Sequence, residues 1–272
     1  MTRREIAAFL KECGSDEPQS EVKVILEELF GVSAAAQMCS PDRDYDSEKL
    51  RELLTRRKAR EPLQYILGYA YFCSEKYLLN DACLIPRADT ELLVSKAAEL
   101  LPEGAVIADL CTGSGCIAIS LLSMRPDIKA VATDISERAV QAAQNNALLN
   151  GISDRLHLFV CDIFTHPLKD SKFDAVISNP PYIPTSVVKK LSPEVLHEPQ
   201  IALDGGEDGM CFYRFILKNY TENLKQNGFF AFEIGYDQED SIKTEAEAYG
   251  MGCEIFYDMS GNPRVAIIKP KV

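Results

Sequence analysis

Four polar side chains stand at the ends of apolar runs in the middle of the chain: Asp109 in "AVIADL", Asp134 closing "KAVATD", Asp162 after "LHLFVC" and Asn179 after "FDAVIS". Between the first two runs lies "ADLCTGSGCIAIS", a strand followed by a small-residue turn with Gly113 and Gly115, then a helix. Glycines in such a turn let the backbone approach a ligand closely, and the helix start offers unpaired N–H groups. A carboxylate ending the next strand, here Asp134, is placed to accept both ribose hydroxyls of an adenosine. The pair marks a nucleoside cofactor site. Gly113-x-Gly115-x-x-Ala118 also satisfies the dinucleotide fingerprint, so the turn alone does not choose the cofactor. Two acids lean towards S-adenosyl-L-methionine. Asp109 suits a cationic amino-acid end and would oppose a pyrophosphate, and Asp162 can accept an adenine amino group with Ile163 as an apolar wall. No G-K-[ST] follows the glycines, which disfavours a nucleotide triphosphatase.

Asn179 opens "NPPYIP", and three prolines fall in the seven residues of "SNPPYIP". Proline removes a backbone donor and fixes φ, so the buried strand has to stop here. Ligands of parallel sheets bind at the carboxyl ends of strands, which puts this break beside the cofactor turn. The Asn179 side-chain oxygen and the Pro180 carbonyl can each accept a hydrogen bond from a planar –NH2 group. Pro180 and Pro181 stiffen the acceptors, and Tyr182 can stack on the target. Positioning and charge stabilisation, with no strong base, then supply most of the rate for methylating such a nitrogen.

Around these residues, strands alternate with helices. "DTELLVSKAAELL", a helix from Ser114, "SERAVQAAQNNALLNG", "GMCFYRFILKNYTENLKQNG" and "DQEDSIKTEAEAYG" read as helices. "AVIADL", "KAVATD", "LHLFVC", "FDAVIS", "GFFAFEIG", "CEIFYD" and "RVAIIK" read as strands. The alternation predicts an α/β domain with a mostly parallel sheet covered on both faces. Upstream, residues 2–60 read as helices only: "REIAAFLKEC", "SEVKVILEELFG" with Gly31 as its C-cap, and "SEKLRELLTRRKAR" from Ser47. Residues 69–85 suggest a hairpin bridging the two parts. The expected division is therefore 1–68, a helical domain; 69–85, a β-hairpin linker; and 86–272, the catalytic domain.

At 272 residues and 46% hydrophobic, the chain can bury a substantial core. A net charge of −12 disfavours a protein whose affinity comes from neutralising many phosphates, so no direct nucleic-acid partner is expected. Nine cysteines without a C-x-x-C pair, and three scattered histidines, give no zinc spacing and fit reduced thiols in a cytoplasm. No apolar run is long enough to span a bilayer. A soluble cytoplasmic monomer without a metal is the expectation.

The blocks "EPLQYILG", "LIPRADTE", "DLCTGSG", "NPPYIP", "HEPQIALDGGEDG", "FEIG" and a closing D-x-x-G-x-x-R of Asp258, Gly261 and Arg264 resemble the peptide chain release factor glutamine methyltransferases. This is the HemK/PrmC family of class I S-adenosylmethionine-dependent methyltransferases. The likeness covers nearly the whole chain. It implies a Rossmann-like domain with a seven-stranded sheet, and an N-terminal domain that docks a release factor. The activity implied is methyl transfer to the glutamine of the Gly-Gly-Gln motif, a step in translation termination. The glutamine roles then fall on Asn179, Pro180, Pro181 and Tyr182. The cofactor roles, with the acids above, fall on Cys111, Thr112, Gly113, Ser114, Gly115, Asp134, Ile163 and Asn179. Cys111 stands where the family usually has glycine, and Ala88 where it has proline.

Glu198, Glu233 and Arg264 lie in these blocks and read as structural salt bridges. The third helix is basic, through Lys49, Arg51, Arg56, Arg57, Lys58 and Arg60, and reads as a solvated face. Contact with an acidic partner or ribosomal RNA is the alternative. Among other functions, an amino-methyltransferase acting on a nucleic-acid base would use the same Asn-Pro-Pro-Tyr chemistry, but it should carry a basic cleft or a target-recognition domain.

Overall fold

The computed structural model describes every residue except His166 and Val272. Its contacts divide the chain into two compact units: residues 1–67 with 192–197, and residues 68–191 with 198–272.

The first unit is helical: α1 (Arg3–Glu12), α2 (Pro18–Phe30), α3 (Ala34–Cys39), α4 (Glu48–Lys58) and α5 (Leu63–Leu67). Local signals set the boundaries. Thr2 and Glu5 form a capping box on α1, Gly31 ends α2 at φ +63°, and Ser47 caps α4 through Leu50 N. Ile6, Leu10, Val22, Ile25, Leu26, Leu50 and Leu53 form its buried core. Of the basic residues of α4, Arg57 departs from the expected solvated face, while Lys49, Arg51 and Lys58 are exposed. The Arg57 side chain is only 2% exposed and donates to both carboxylate oxygens of Glu21 at 3.0 Å and to the Glu61 carbonyl. Arg56 pairs with Glu61, and Arg60 pairs with Glu194 from the returning segment 192–197. Much of the positive charge is thus neutralised inside the unit.

In the second unit, the hairpin β1 (Tyr69–Phe72) and β2 (Glu75–Leu78) comes first, then α6 (Ala88–Leu100). The hairpin is docked onto the sheet domain: the Asn146 amide exchanges hydrogen bonds with Leu78 N and O, and Tyr77 Oη lies 2.7 Å from Ser120 Oγ. Beyond it come β3 (Val106–Leu110), α7 (Cys116–Met124), β4 (Lys129–Asp134), α8 (Glu137–Leu149), β5 (Leu156–Val160), β6 (Phe173–Ser178) and α9 (Thr185–Val188). The chain closes with α10 (Cys211–Tyr220), β7 (Leu224–Glu233), α11 (Glu239–Ala248), β8 (Met251–Tyr257) and β9 (Pro263–Pro270).

The seven strands run in the order β5-β4-β3-β6-β7-β9-β8, parallel except for β9, which is antiparallel to both neighbours. Side chains alternate between two cores as period-2 strands require. Ile107, Ala175, Ile177 and Ala231 pack with α6 and α7, whereas Ala108, Val176, Phe230 and Phe232 pack with α10 and α11. The predicted helix to Gly228 ends early. Thr221–Asn223 forms one 3-10 turn and β7 starts at Leu224, because the buried Asn223 amide is held by the Leu168 and Ser171 carbonyls and Leu224 pairs with Phe173. The order reverses direction between β3 and β6, and a ligand crevice opens at the carboxyl ends of such a strand pair. No helix among the described residues is long and apolar enough to cross a membrane.

Removing Arg57 leaves the half-buried Glu21 without its cation, with the Ser15 hydroxyl as its remaining donor. We expect Arg57→Ala to lower unfolding free energy by roughly 2–4 kcal/mol, read as a fall in the urea midpoint with little change in slope. A midpoint equal to wild type would show that the pair contributes nothing.

Candidate active site

The carboxyl ends of β3 and β6 are tied by the buried Ser178 hydroxyl, which donates to the Leu110 carbonyl at 2.6 Å. After β3 the chain turns through Cys111 at φ +61°, Gly113 at +56° and Gly115 at +81°. This is left-handed backbone that costs a non-glycine residue on the order of 1 kcal/mol, and Cys111 bears that cost. Asp109 holds the turn from below. It is fully buried, and one carboxylate oxygen accepts from Thr112 Oγ1 at 2.6 Å and from Ala118 N in the first turn of α7. Its other oxygen is buried with no hydrogen-bond partner among the described residues, and burial pushes the carboxyl up to about 7.

Above the turn lies a cavity of about 340 Å³, inside the range of small-molecule sites. Of the expected cofactor residues, Cys111, Thr112, Gly113, Ser114, Asp134, Asp162, Ile163 and Asn179 line it. Asp109 and Gly115 lie outside the lining and support the turn. Each Asp134 oxygen accepts one backbone N–H at 2.9 Å, from Gly113 and from Ser136; these bonds aim the carboxylate, whose pKa is raised chiefly by burial. Asp162 is fixed by Phe164 N at 2.9 Å. Beside Ile163, the apolar wall is completed by residues with no sequence signal: Phe164 and Phe212, rings 5.1 Å apart, with Ile135 and Ile201. Burial also pushes the Cys111 and Cys116 thiols up, which keeps them protonated and poorly nucleophilic.

Asn179 and Pro181 line the same cavity, whereas Pro180 and Tyr182 do not. Tyr182 is therefore not placed to stack on a target from the cavity wall. Its hydroxyl donates to Glu233 Oε1 at 3.2 Å, and its ring packs against the core beside α10. The backbone after β6 is gripped by the "LDGGEDG" block. Ile183 N donates to Leu203 O and Gly205 N to Ile183 O, while Gln238 Nε2 donates to Tyr182 O. A Cβ on Gly205 would stand 2.7 Å from Tyr182 Cα, and one on Gly209 2.2 Å from the Tyr182 oxygen. Close approach, as much as the prolines, keeps this loop still.

The three residues set aside as structural differ from one another. Arg264 does form ion pairs, with Asp89 and Asp258 at 3.2 Å. Glu198 pairs with Arg87 and also accepts from Ile85 N, which anchors two residues of the cavity wall. Glu233 makes no ion pair among the described residues; it accepts from the hydroxyls of Thr90 and Tyr182. Thr90, which no sequence argument singled out, lines the cavity and contacts Asn179.

Comparison with known proteins follows this geometry. A family model described as the methyltransferase small domain matches residues 88–216, and one described as the PrmC N-terminal domain matches residues 2–68. A release factor glutamine methyltransferase of Geobacter sulfurreducens is 38% identical over 94% of this chain and 91% of its own length. The chain belongs to the release factor glutamine methyltransferase family. A member from Aquifex aeolicus is 34% identical, covering 98% of this chain and 96% of that protein. Among solved structures, a methyltransferase from Pyrococcus furiosus superposes with a TM-score of 0.52 at 17% identity, covering 94% of this chain and 98% of that one, a likeness of fold. Within this family, the mostly parallel seven-stranded sheet is the methyltransferase domain and the cavity at its strand ends is the candidate active site.

Gly209→Ala has to hold a side chain at φ +75° against the Tyr182 carbonyl. We expect it to cost about 2 kcal/mol or more and to slow catalysis by moving the loop after Asn179. Thermal melting and turnover are measured together; an alanine variant with both unchanged would show that the loop is not clamped here.

Proposed function

We infer that the chain transfers a methyl group from S-adenosyl-L-methionine to the side-chain amide nitrogen of the glutamine in the Gly-Gly-Gln motif of peptide chain release factors. The observation that carries this reading is the position of Asn179, at the rim of a cavity built from the carboxyl ends of β3, β4, β5 and β6. The names of the relatives support the substrate.

The residues fit the cofactor. Asp134 is placed for ribose hydroxyls and Asp162 and Ile163 for an adenine, while Asp109, buried behind the lining, adds negative charge beneath the glycine turn that favours a cationic group over a pyrophosphate. Arg87 is the one cation among the described lining residues, a poor complement for a pyrophosphate facing Asp134 and Asp162. When bound, S-adenosyl-L-methionine supplies an electrophilic methyl on a sulfonium. The chain's own residues do the positioning. Asn179 Oδ1 accepts an amide N–H of the glutamine, the Pro180 carbonyl, just behind the lining, is the second acceptor in this reading, and the rigid loop holds the planar nitrogen in line for attack. Orientation of this kind is worth several kcal/mol of barrier without a base. Residues 1–68 serve in this reading as the release-factor-docking domain. Arg56, Arg57 and Arg60 are paired within the unit, which weakens the basic face that a nucleic-acid substrate would require.

Incubation with labelled S-adenosyl-L-methionine and purified release factors should label the wild-type factor and not a Gln→Ala variant of its Gly-Gly-Gln motif. Asn179→Ala should lower kcat by about a hundredfold or more while cofactor affinity changes less than about threefold. Label in the Gln→Ala factor would reject the substrate; an equal loss of cofactor affinity would make Asn179 chiefly a cofactor residue.

A further inference from the structure

Asn179 is useful only if its oxygen, and not its nitrogen, faces the substrate. The two orientations of a side-chain amide have nearly the same shape, so packing alone does not choose between them. The hydrogen bonds behind Asn179 do choose. Its Nδ2 lies 3.3 Å from Thr90 Oγ1, and Thr90 Oγ1 lies 2.5 Å from Glu233 Oε2. Thr90 and Glu233 are each 2% exposed, so water does not compete for these positions. An ionised carboxylate only accepts, so the single Thr90 hydrogen is committed to Glu233. Thr90 then has lone pairs alone to offer Asn179, and the side of the amide that can meet them is the NH2. The other Glu233 oxygen is occupied by the Tyr182 hydroxyl at 3.2 Å.

We propose that Thr90 and Glu233 are positioning residues that set the direction of the Asn179 amide: a one-way chain from Asn179 Nδ2 to Thr90 to Glu233 turns Oδ1 towards the cavity. The proposal rests on the reading of that cavity as the glutamine site. It also explains selectivity for a primary carboxamide over a carboxylate. With Asn179 Oδ1 and the Pro180 carbonyl as acceptors, an –NH2 is held, and the oxygens of a glutamate side chain are repelled. The chain spans three elements, α6, the end of β6 and the end of β7, so each must be in place for the direction to be set.

Reversal has a defined trigger. Burial raises the Glu233 pKa, the Thr90 and Tyr182 hydrogen bonds and the nearby Arg264 oppose that rise, and Asp89 adds to it. Above the raised pKa, Glu233 is an acceptor and the chain points one way. As pH falls through it, the protonated carboxyl can donate to Thr90, whose hydrogen is then free to meet Asn179 Oδ1, and the amide can turn its NH2 to the substrate. Activity attributable to this device is present at higher pH and lost on acidification.

The test compares Thr90→Val, Thr90→Ser and Glu233→Gln with wild type in the full-length protein. Thr90→Val and Glu233→Gln should lower kcat about tenfold to a hundredfold, with S-adenosyl-L-methionine affinity changed less than about threefold. Thr90→Ser, which keeps the hydroxyl, should restore most of the activity. The second readout needs neither cofactor nor substrate: the side-chain amide NMR signals of Asn179, assigned by their loss in Asn179→Ala. In wild type they should titrate with pH in one step that Glu233→Gln abolishes, and Thr90→Val should shift them. Wild-type kcat in both Thr90→Val and Glu233→Gln, or Asn179 signals indifferent to both, would overturn the proposal. Should wild type fail to label any release factor while the Asn179 signals still follow Glu233, the substrate reading falls and the relay stands. A release factor labelled at the wild-type rate by both variants would show the reverse.

Discussion

The Ser178 hydroxyl bonded to the Leu110 carbonyl sets the distance on which the site depends. It joins the carboxyl ends of β3 and β6, the adjacent parallel strands where the sheet reverses direction. One strand end delivers the glycine turn and the other delivers Asn179, so donor and acceptor groups share one cavity because two strands are neighbours. Everything else sharpens this juxtaposition: Asp109 holds the turn closed from beneath, and the glycine-rich segment 203–209 fixes the backbone after Asn179 from the side.

Rigidity in this loop has two sources. Pro180 and Pro181 restrict φ, which limits what the loop does by itself. Gly205 and Gly209 let a second stretch of backbone come closer than any side chain would allow, which limits where the loop can go. Direction is a separate matter. Prolines and close packing fix where Asn179 is, but an amide in a fixed place can still present either end, and that is decided by which neighbour has a hydrogen to give. A buried carboxylate that forms no ion pair among the described residues, with Arg264 only nearby, makes sense as the terminal acceptor of such a chain.

Much of this was legible in the sequence. The strand-end acids and the glycine turn marked one side of the cavity because both follow from spacing within single βα units. "NPPY" identified the other side for the same reason. What the sequence hid depends on contacts between distant segments. Thr90 and Asn179 are far apart in the chain, and nothing in "LIPRADTE" says that its threonine faces the end of β6. Glu233 looked like half of a salt bridge because a buried glutamate usually has a cation, and only the placement of two hydroxyls shows otherwise. Nor does the motif announce the other contact of Tyr182: a tyrosine beside a planar-target motif invites a stacking role, and its hydroxyl donates to Glu233 outside the cavity lining. Arg57 carried no sign of its burial, since its partner Glu21 lies in another segment.

The central claim is that the hydrogen atoms behind Asn179 run in one direction. Neutron diffraction from crystals of the perdeuterated protein, at a pH well above the Glu233 titration, reads this without any assay. The account predicts both amide deuterons of Asn179 on the atom nearest Thr90, the Thr90 deuteron pointing at Glu233, and a bare Glu233 carboxylate. Deuterons on the cavity-facing atom of Asn179, or one on the Glu233 oxygen that meets Thr90, would contradict it.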